Sequence, residues 1–592
     1  MYILGVSCYF HDSAVVLLKN GYLVAAAQEE RFSRIKHDAS FPRNAIRFCL
    51  DFARISGNDL EFVVFYEKPF RKLDRILTTS LQTYPRSRQF FTRSTMSWID
   101  SKLWIRKTFC DELGIEAKQV LFSDHHLSHA ASAFLCSPFQ SALIFTVDGV
   151  GEWTTTSFSI GVDNRIRQLC ELPFPHSLGL FFSTLTAFLG FEVNEGEYKV
   201  MGLAAYGSPR YVDRVEKLIR SNSDGSFCLN MDYFSFHYSD TSSFNTRFTD
   251  LFGVPRRPDQ SFGEPDDLRS RARADSSSKP VLLSTTDQYY ADLAASVQVT
   301  AEEVLLSAVR ALQRQTGQRR LCMAGGVALN GVANQRLLRE GNFDELYIQP
   351  AAGDSGGALG AALWAHHCLL DRPRGFVMTH GSWGQSYERA AIERVLDTNH
   401  MAYRRFRRVD MLLDEVVRLL CSGKVVGWFQ GRFEWGPRAL GHRSILADAR
   451  SAKMRDIVNS RIKNRELFRP FAPSVLADRA EQYFDLPNAR MQYPARFMLY
   501  VVPVKENQQC HVPAITHIDG SSRPQLVFSD TTEPFHSLLQ RFDDTTGVPL
   551  LLNTSFNVRG QPIVSSPEDA LRTFQNTDMD ALVLEDCLVQ KE

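Results

Sequence analysis

The sequence lacks the marks of several protein classes. None of its eleven cysteines forms a Cys-x-x-Cys pair. The number is odd, and the cysteines are scattered from Cys8 to Cys587, often inside apolar runs such as Phe48-Cys49-Leu50. That pattern argues against a disulfide framework and predicts buried free thiols in a reducing compartment. No apolar run approaches the ~20 residues that a membrane helix needs. Met1-Tyr2-Ile3-Leu4-Gly5 carries no basic region before its apolar residues, so no signal peptide is expected and the chain reads as cytoplasmic. Excess charge is missing too: Lys plus Arg and Asp plus Glu both number 67. A net charge of zero argues against a nucleic-acid binder driven by bulk electrostatics. Neither a Walker A pattern nor G-x-G-x-x-G occurs, which removes the ordinary P-loop and Rossmann readings.

The 592 residues are too many for one core and suggest roughly two to four domains. Ile3 to Cys8 reads as a strand, Phe10-His11-Asp12-Ser13 as a polar loop, and Ala14 to Leu18 as a second strand. Asn20-Gly21 turns into a third, Tyr22 to Ala27. The pattern recurs: Ala142 to Val147, then Asp148-Gly149-Val150-Gly151, then Thr154 to Ile160, a turn at Asp163-Asn164, and Arg165 to Leu172. Two such units predict a duplicated α/β fold. Pro42 to Ile55 has helical spacing. The polar stretch 239–286 reads as a surface excursion. Helix–strand alternation resumes from Tyr290 to Leu370, and a break near Asp371-Arg372-Pro373-Arg374-Gly375 places a boundary that gives domains 1–372 and 373–592.

One candidate site lies in the first domain. Asp124 to Ala133 reads as a helix after a strand, and His125 and His129 are four apart, so they share a face about 6 Å apart along the axis. That spacing suits two imidazoles on one metal ion. A capped helix start with surface histidines is the alternative. Asp148, at a strand end before glycines, and Asp354, in the loop Gly353-Asp354-Ser355-Gly356-Gly357, could complete the set. Asp354 could equally be a plain N-cap. Two histidines with two carboxylates suit Fe(II), Mn or Zn. Ala324-Gly325-Gly326-Val327-Ala328-Leu329-Asn330 is a strand ending in glycines that let a backbone approach a nucleotide.

Taken together, the strand-loop openings, the H-x-x-x-H, the Gly-Gly turn and the late Gly-Asp loop resemble the actin-like ATPase (ASKHA) fold of the TsaD-type family. More closely, His11-Asp12-Ser13-Ala14, Gln28-Glu29-Glu30-Arg31-Phe32 and the run Glu195 to Ala204 are similar to the NodU/CmcH O-carbamoyltransferases. The resemblance implies that His125, His129, Asp148 and Asp354 bind a metal, typically Fe2+. It also implies nucleotide contacts from Gly325, Gly326, Asn330, Gly353, Gly356, Gly357 and Lys199.

A second constellation follows in the other domain. From Gln430 to Pro470 there are ten Lys or Arg and four Asp or Glu. Arginine forks suit phosphate. Interleaved Gly, Pro, Trp and Phe suggest a shaped loop in which unpaired arginines would be costly, against the alternative of a solvated basic face. This block resembles the YrdC-like α/β domain that ends the same family. The resemblance implies carbamoyl phosphate and ATP contacts from Arg438, Arg443, Lys463, Arg469, His517, Arg523, Asn553 and Ser555.

The implied reaction forms carbamoyl-adenylate from carbamoyl phosphate and ATP in the second domain, with Arg438 and Lys463 catalytic. The first domain then transfers the carbamoyl group to a hydroxyl of a small-molecule natural product, with His11 or Asp12 as a candidate base. Neither nucleic acid nor membrane is an expected partner. A tRNA threonylcarbamoyl enzyme and a non-enzymatic actin-like nucleotide switch are the rivals. The neutral charge counts against the first, and the metal set and basic pocket count against the second.

Overall fold

The computed structural model describes residues 1–100, 102–258, 262, 284–463, 465–466 and 468–591. It packs into two compact units. Unit 1 holds Met1–Phe10, Val15–Val24 and Leu50–Val377; unit 2 holds His11–Ala14, Ala25–Cys49 and Met378–Glu592.

Two five-stranded sheets organise unit 1. The first comprises β1 (Tyr2–Ser7), β2 (Ala14–Lys19), β3 (Tyr22–Gln28), β4 (Leu60–Phe65) and β5 (Val120–Phe122), in the order β3-β2-β1-β4-β5. β6 (Ser141–Val147), β7 (Thr154–Val162) and β8 (Arg165–Pro173) begin the second. A small ribbon of β9 (Ile219–Ser221) and β10 (Phe227–Leu229) intervenes, and β11 (Arg320–Ala324) and β12 (Glu345–Tyr347) complete the sheet as β12-β11-β6-β7-β8. Read from its own first strand, each sheet has the same order. In both, the fourth strand pairs parallel to the first and the fifth parallel to the fourth. This is the duplicated, actin-like architecture that the repeated strand-loop pattern predicts.

Each half ends in a helix that follows its fifth strand: His125–Phe134 after β5 and Asp354–Trp364 after β12. The two helices meet closely because their residues are small. A Cβ on Gly360 would fall 1.7 Å from the Ser128 carbonyl oxygen, and one on Gly5 in β1 would fall 1.9 Å from the Ala358 oxygen. No larger residue fits at either crossing.

The stretch expected as a surface excursion is partly built into the core. Asn245 caps a helix over Thr246–Phe252, accepting from the Phe248 N–H. Phe248 and Phe252 are buried, with ring centres 5.4 and 6.0 Å from that of Phe188. Three aromatics in a polar setting outweigh composition as a guide. Residues 259–261 and 263–283 of that stretch lie outside the described residues. Ser284 then caps the helix Thr285–Thr316, accepting from the Asp287 N–H.

Unit 2 is built on a mixed eight-stranded sheet. Its strands are β13 (Tyr403–Arg405), β14 (Val426–Phe429), β15 (Arg443–Ala447), β16 (Ala472–Leu476), β19 (Gln525–Val527), β20 (Leu550–Ser555), β21 (Ala581–Leu584) and β22 (Cys587–Gln590). They run in the order β13-β22-β21-β14-β15-β20-β16-β19, beside a ribbon of β17 (Val502–Pro503) and β18 (Ser521–Ser522).

The units part after Val377, five residues beyond the expected boundary. The larger difference is at the N-terminal end, where residues 11–14 and 25–49 pack with the C-terminal half of the chain. Arg31 Nη2 donates to the Gly436 carbonyl at 2.7 Å, and Arg34 donates to the Ile563 and Pro562 carbonyls at 2.7 and 2.9 Å. The Phe32 and Phe433 rings meet edge to face. Among the described residues no helix is long and apolar enough to cross a membrane.

Candidate functional site: a histidine–carboxylate cluster and a basic pocket

The sequence places His125 and His129 one turn apart, and the fold turns both into one point. Their Nε2 atoms are 3.1 Å apart. Asp148 Oδ2 lies 2.9 Å from His125 Nε2 and 3.4 Å from His129 Nε2; Asp354 Oδ1 lies 3.6 and 3.4 Å from the same atoms. All four residues are buried, and their ligand atoms fit within 4.8 Å of one another. The first half of unit 1 supplies the imidazoles and the second half the carboxylates. Both terminal helices point their N-termini at the cluster, where the helix dipole favours negative charge.

The donor set fits a divalent ion. Two imidazole nitrogens 3.1 Å apart cannot each present a proton to the other, and two buried carboxylates need positive charge between them. With protein atoms alone, the charge falls on an imidazole. Burial by itself would lower His129, but its hydrogen bonds to the Asp148 and Asp354 carboxylates outweigh it and lift the group to about 9. The two imidazoles hold Asp148 well below the usual carboxylate range against the opposing effect of burial.

Neighbouring groups lock the cluster. Gly325 has φ 95°, and a Cβ there would meet the Val147 oxygen at 2.2 Å. This turn aims the Gly326 N–H at Asp148 Oδ1, at 2.9 Å. Glu152, which the sequence reading passed over, accepts from the His125 N–H at 3.1 Å and the Lys68 N–H at 2.7 Å. It takes the place of a side-chain cap from Asp124, which pairs instead with Lys68 and Arg71. Tyr66 sets its ring 5.3 Å from that of His125. An acid one residue after a glycine-rich turn was the available signal for Glu152.

The remaining predicted nucleotide contacts have other visible duties. Asn330 caps a helix by accepting from the Ala333 N–H at 3.1 Å, and it exchanges amide hydrogen bonds with Gln298. Gly356 and Gly357 allow close packing: added Cβ atoms would lie 2.1 Å from the Ala351 oxygen and 2.7 Å from the Tyr66 ring. Gly353 has open space around it. Lys199 is buried, with Nζ 5.7 Å from the Phe191 ring centre.

His11 and Asp12, expected in the first domain, belong to unit 2. Asp12 accepts from His11 Nδ1 at 3.0 Å and from His37 Nδ1 at 2.7 Å. Those two bonds hold its carboxyl below the usual range, although burial pulls the other way.

The basic segment of unit 2 is built largely from cations that the protein itself satisfies. Arg443 is fully buried and lies over the Phe429 ring at 3.5 Å. Its guanidinium donates to four backbone carbonyls, those of Gln430, His442, Gln385 and Gly431. Lys463 Nζ donates to the Ser555 and Asn557 carbonyls at 2.7 and 2.8 Å, and to Ser555 Oγ and Asn557 Oδ1 at 3.1 and 2.6 Å. Burial, reinforced by Arg465 and Arg469, pushes its ammonium well down. Asn553 is tied to Ser474 Oγ at 2.8 Å inside the sheet. His517 Nε2 meets the Phe468 carbonyl at 3.2 Å. Arg469 pairs with Glu466 at 3.2 Å, and Arg438 and Arg523 are half-buried. Glu434, also missed from sequence, organises the loop: its Oε1 accepts from the N–H groups of Leu440, His442 and Arg443 at 2.8–3.0 Å.

Known proteins share this arrangement of two parts. The family model described as Carbamoyltransferase N-terminus matches residues 2–363, and that described as Carbamoyltransferase C-terminus matches residues 417–591. The uncharacterized protein sll1178 of Synechocystis sp. is 44% identical over 100% of this chain and 97% of its own. Nodulation protein NolNO of Sinorhizobium fredii is 35% identical over 98% of this chain and 79% of its own. Nodulation protein U of Azorhizobium caulinodans is 36% identical over 46% of each. Among solved structures, HypF from T. kodakarensis is similar at a TM-score of 0.30 and 14% identity, covering 62% of this chain and 48% of that one. With both parts of the family pattern matched in order along one chain, the protein belongs to the carbamoyltransferase family and is an enzyme of carbamoyl transfer.

Proposed function

We propose that the enzyme is an ATP-dependent O-carbamoyltransferase that works in two stages. The reading is supported above all by the cluster of His125, His129, Asp148 and Asp354, which brings together ligands from three separate segments of the chain. In unit 2, read as YrdC-like, water hydrolyses carbamoyl phosphate to carbamate and inorganic phosphate, and a carbamate oxygen then attacks the α-phosphorus of ATP. Pyrophosphate leaves and carbamoyl-adenylate remains. Arg438, Arg469 and Arg523 hold phosphate oxygens by charge-assisted bonds, and Lys463 organises the Ser555–Asn557 turn beside them.

In unit 1 the acceptor hydroxyl attacks the carbamoyl carbon, AMP leaves, and the hydroxyl proton passes to a base. An ion held by the cluster, Fe2+ in the reading adopted here, would supply Lewis-acid polarisation of the carbamoyl oxygen. The chain's own residues fix the geometry. The Gly325–Gly326 turn clamps Asp148, Glu152 anchors the start of the His125 helix, and the open backbone at Gly353 leaves room for the nucleotide. The acceptor is a small hydroxyl compound of the natural-product class.

The test measures pyrophosphate release from ATP plus carbamoyl phosphate. Lys463→Ala and Arg438→Ala should abolish it, whereas His125→Ala should keep it and lose acceptor carbamoylation. Equal loss of release in both classes would refute the two-stage division.

A further inference from the structure

Unit 1 carries a second charged group, Glu67, Lys72, Arg75 and Lys102, that the transfer reading does not use. Glu67 follows β4 and is completely buried. The helix Pro69–Gln82 then places Lys72 and Arg75 three apart, on one face. Lys72 Nζ meets Glu67 Oε2 at 2.7 Å, and Lys102 Nζ approaches Glu67 Oε1 at 3.6 Å. Both ammonium groups lie over the Phe10 ring, at 4.6 and 5.9 Å from its centre.

Arg75 is the outlier. It is only 9% exposed, and its guanidinium lies 5.0 Å from the Phe174 ring centre. Among the described residues no carboxylate, carbonyl or hydroxyl accepts from it. The fields of Glu67 and Glu152 both reach it. Glu152, however, is committed to the backbone N–H groups of Lys68 and His125. Two buried cations, Lys72 and Arg75, and a half-buried Lys102 thus share two carboxylates, of which Glu67 is taken by the lysines and Glu152 by backbone N–H groups. A guanidinium only 9% exposed and without a protein acceptor is left to the little water that reaches it, or to a ligand that supplies an acceptor. Its planar fork, backed by an aromatic face, is the geometry that receives an oxyanion through two parallel N–H bonds.

We propose that Arg75, with Lys72 and Lys102 behind it, forms a receptor for an oxyanion, and that this oxyanion is a carboxylate, sulfate or phosphate group carried by the acceptor. Glu152 links the two features, since it holds the first turn of the His125 helix and lies within the field of Arg75. A substrate anchored at Arg75 by its anionic group would present its hydroxyl toward the cluster. The acceptor half of the proposal rests on the transfer reading above. The oxyanion site stands apart from it, because it can be titrated without turnover.

The experiment titrates the full chain with inorganic phosphate and, separately, with AMP, by calorimetry. Wild type, Arg75→Gln, Arg75→Lys and Lys463→Ala are compared, with circular dichroism and thermal melting as controls for folding. Phosphate should bind at a site that Arg75→Gln weakens at least about tenfold, the equivalent of ~1.4 kcal/mol. Arg75→Lys should keep part of that affinity, and Lys463→Ala should leave the site intact. AMP affinity should be the same in wild type and Arg75→Gln. Phosphate binding indifferent to both Arg75 variants would overturn the receptor. Parallel loss of AMP and phosphate affinity would assign the oxyanion to the nucleotide and overturn the acceptor half. Loss of acceptor carbamoylation in an otherwise phosphate-binding wild type would count against the transfer reading alone.

Discussion

The two polar centres of this enzyme look alike in composition and differ in kind. In the cluster of unit 1, four side chains turn their ligand atoms toward one point, all within 4.8 Å of one another. In the basic segment of unit 2, the two most buried cations, Arg443 and Lys463, are surrounded by oxygen atoms of the protein itself. One centre gathers lone pairs from four side chains onto one point, and the other surrounds its cations with the protein's own oxygen atoms. Charge counts along a sequence do not separate these cases. What separates them is where each donor or acceptor goes once the chain has folded.

The comparison can be broken most sharply at the cluster of unit 1. His129→Ala removes one of four converging ligands and should lower metal affinity by about a hundredfold or more, with carbamoylation falling in step. Elemental analysis of the purified variant reads this directly. Full metal content would remove His129 from the ligand set and leave the cluster as a structural ion-pair network.

At the satisfied end the expected effect is on stability. Arg443→Ala leaves carbonyls that lost their donor inside the fold and should cost ~3 kcal/mol in denaturant unfolding. Arg438→Ala, at a half-buried position, should cost under ~1 kcal/mol. If Arg443→Ala were as stable as wild type yet failed to release pyrophosphate, the contrast drawn here would be wrong and Arg443 would belong with the substrate.

The smallest effect concerns the Asp12 triad. His37 is raised above its ordinary value of 6.5: burial would lower it, but the hydrogen bond to Asp12 prevails. Its contribution to stability is therefore complete below about pH 6.5 and is lost as pH rises through the folded-state value. Asp12 is depressed below 3.8, so its own contribution is present above that pH and lost only in stronger acid. Unfolding free energy should fall between about pH 6 and about pH 9, with His129, lifted to about 9, contributing as well, and the fall should be smaller in Asp12→Asn than in wild type. An equal fall in that variant would assign the effect to another group.

Much of this was legible in the chain. Alternating apolar runs and polar glycine turns gave the strand-loop openings to within a residue or two, because strand burial writes itself locally. The four cluster residues could be picked out because His125, Asp148 and Asp354 sit at element ends, where side chains project, and His129 lies one helical turn beyond His125. Other features were not legible, for physical reasons. The packing of Arg31 and Arg34 onto carbonyls of residues 436, 562 and 563 leaves no local pattern, since a backbone oxygen has no sequence signature. Asn330 and Gly356 look like ligand contacts in a motif, and only the folded neighbours show that one caps a helix and the other clears a crossing. The helix at Thr246–Phe252 was hidden by its polar surroundings, although Phe248 and Phe252 at i,i+4 were the cue.

The split origin of the cluster has a consequence of its own. Its histidines come from one copy of the duplicated fold and its carboxylates from the other, joined where Gly360 lets two helices touch. Neither copy can assemble a weaker version alone. An ion bound at that seam would act as a latch on the duplication, and by mass action it would favour the docked arrangement of the two copies over any loosened one. Metal content would then serve as a census of correctly closed molecules, and hydrogen exchange at the Ser128–Gly360 crossing would be the first signal to change when the latch is removed.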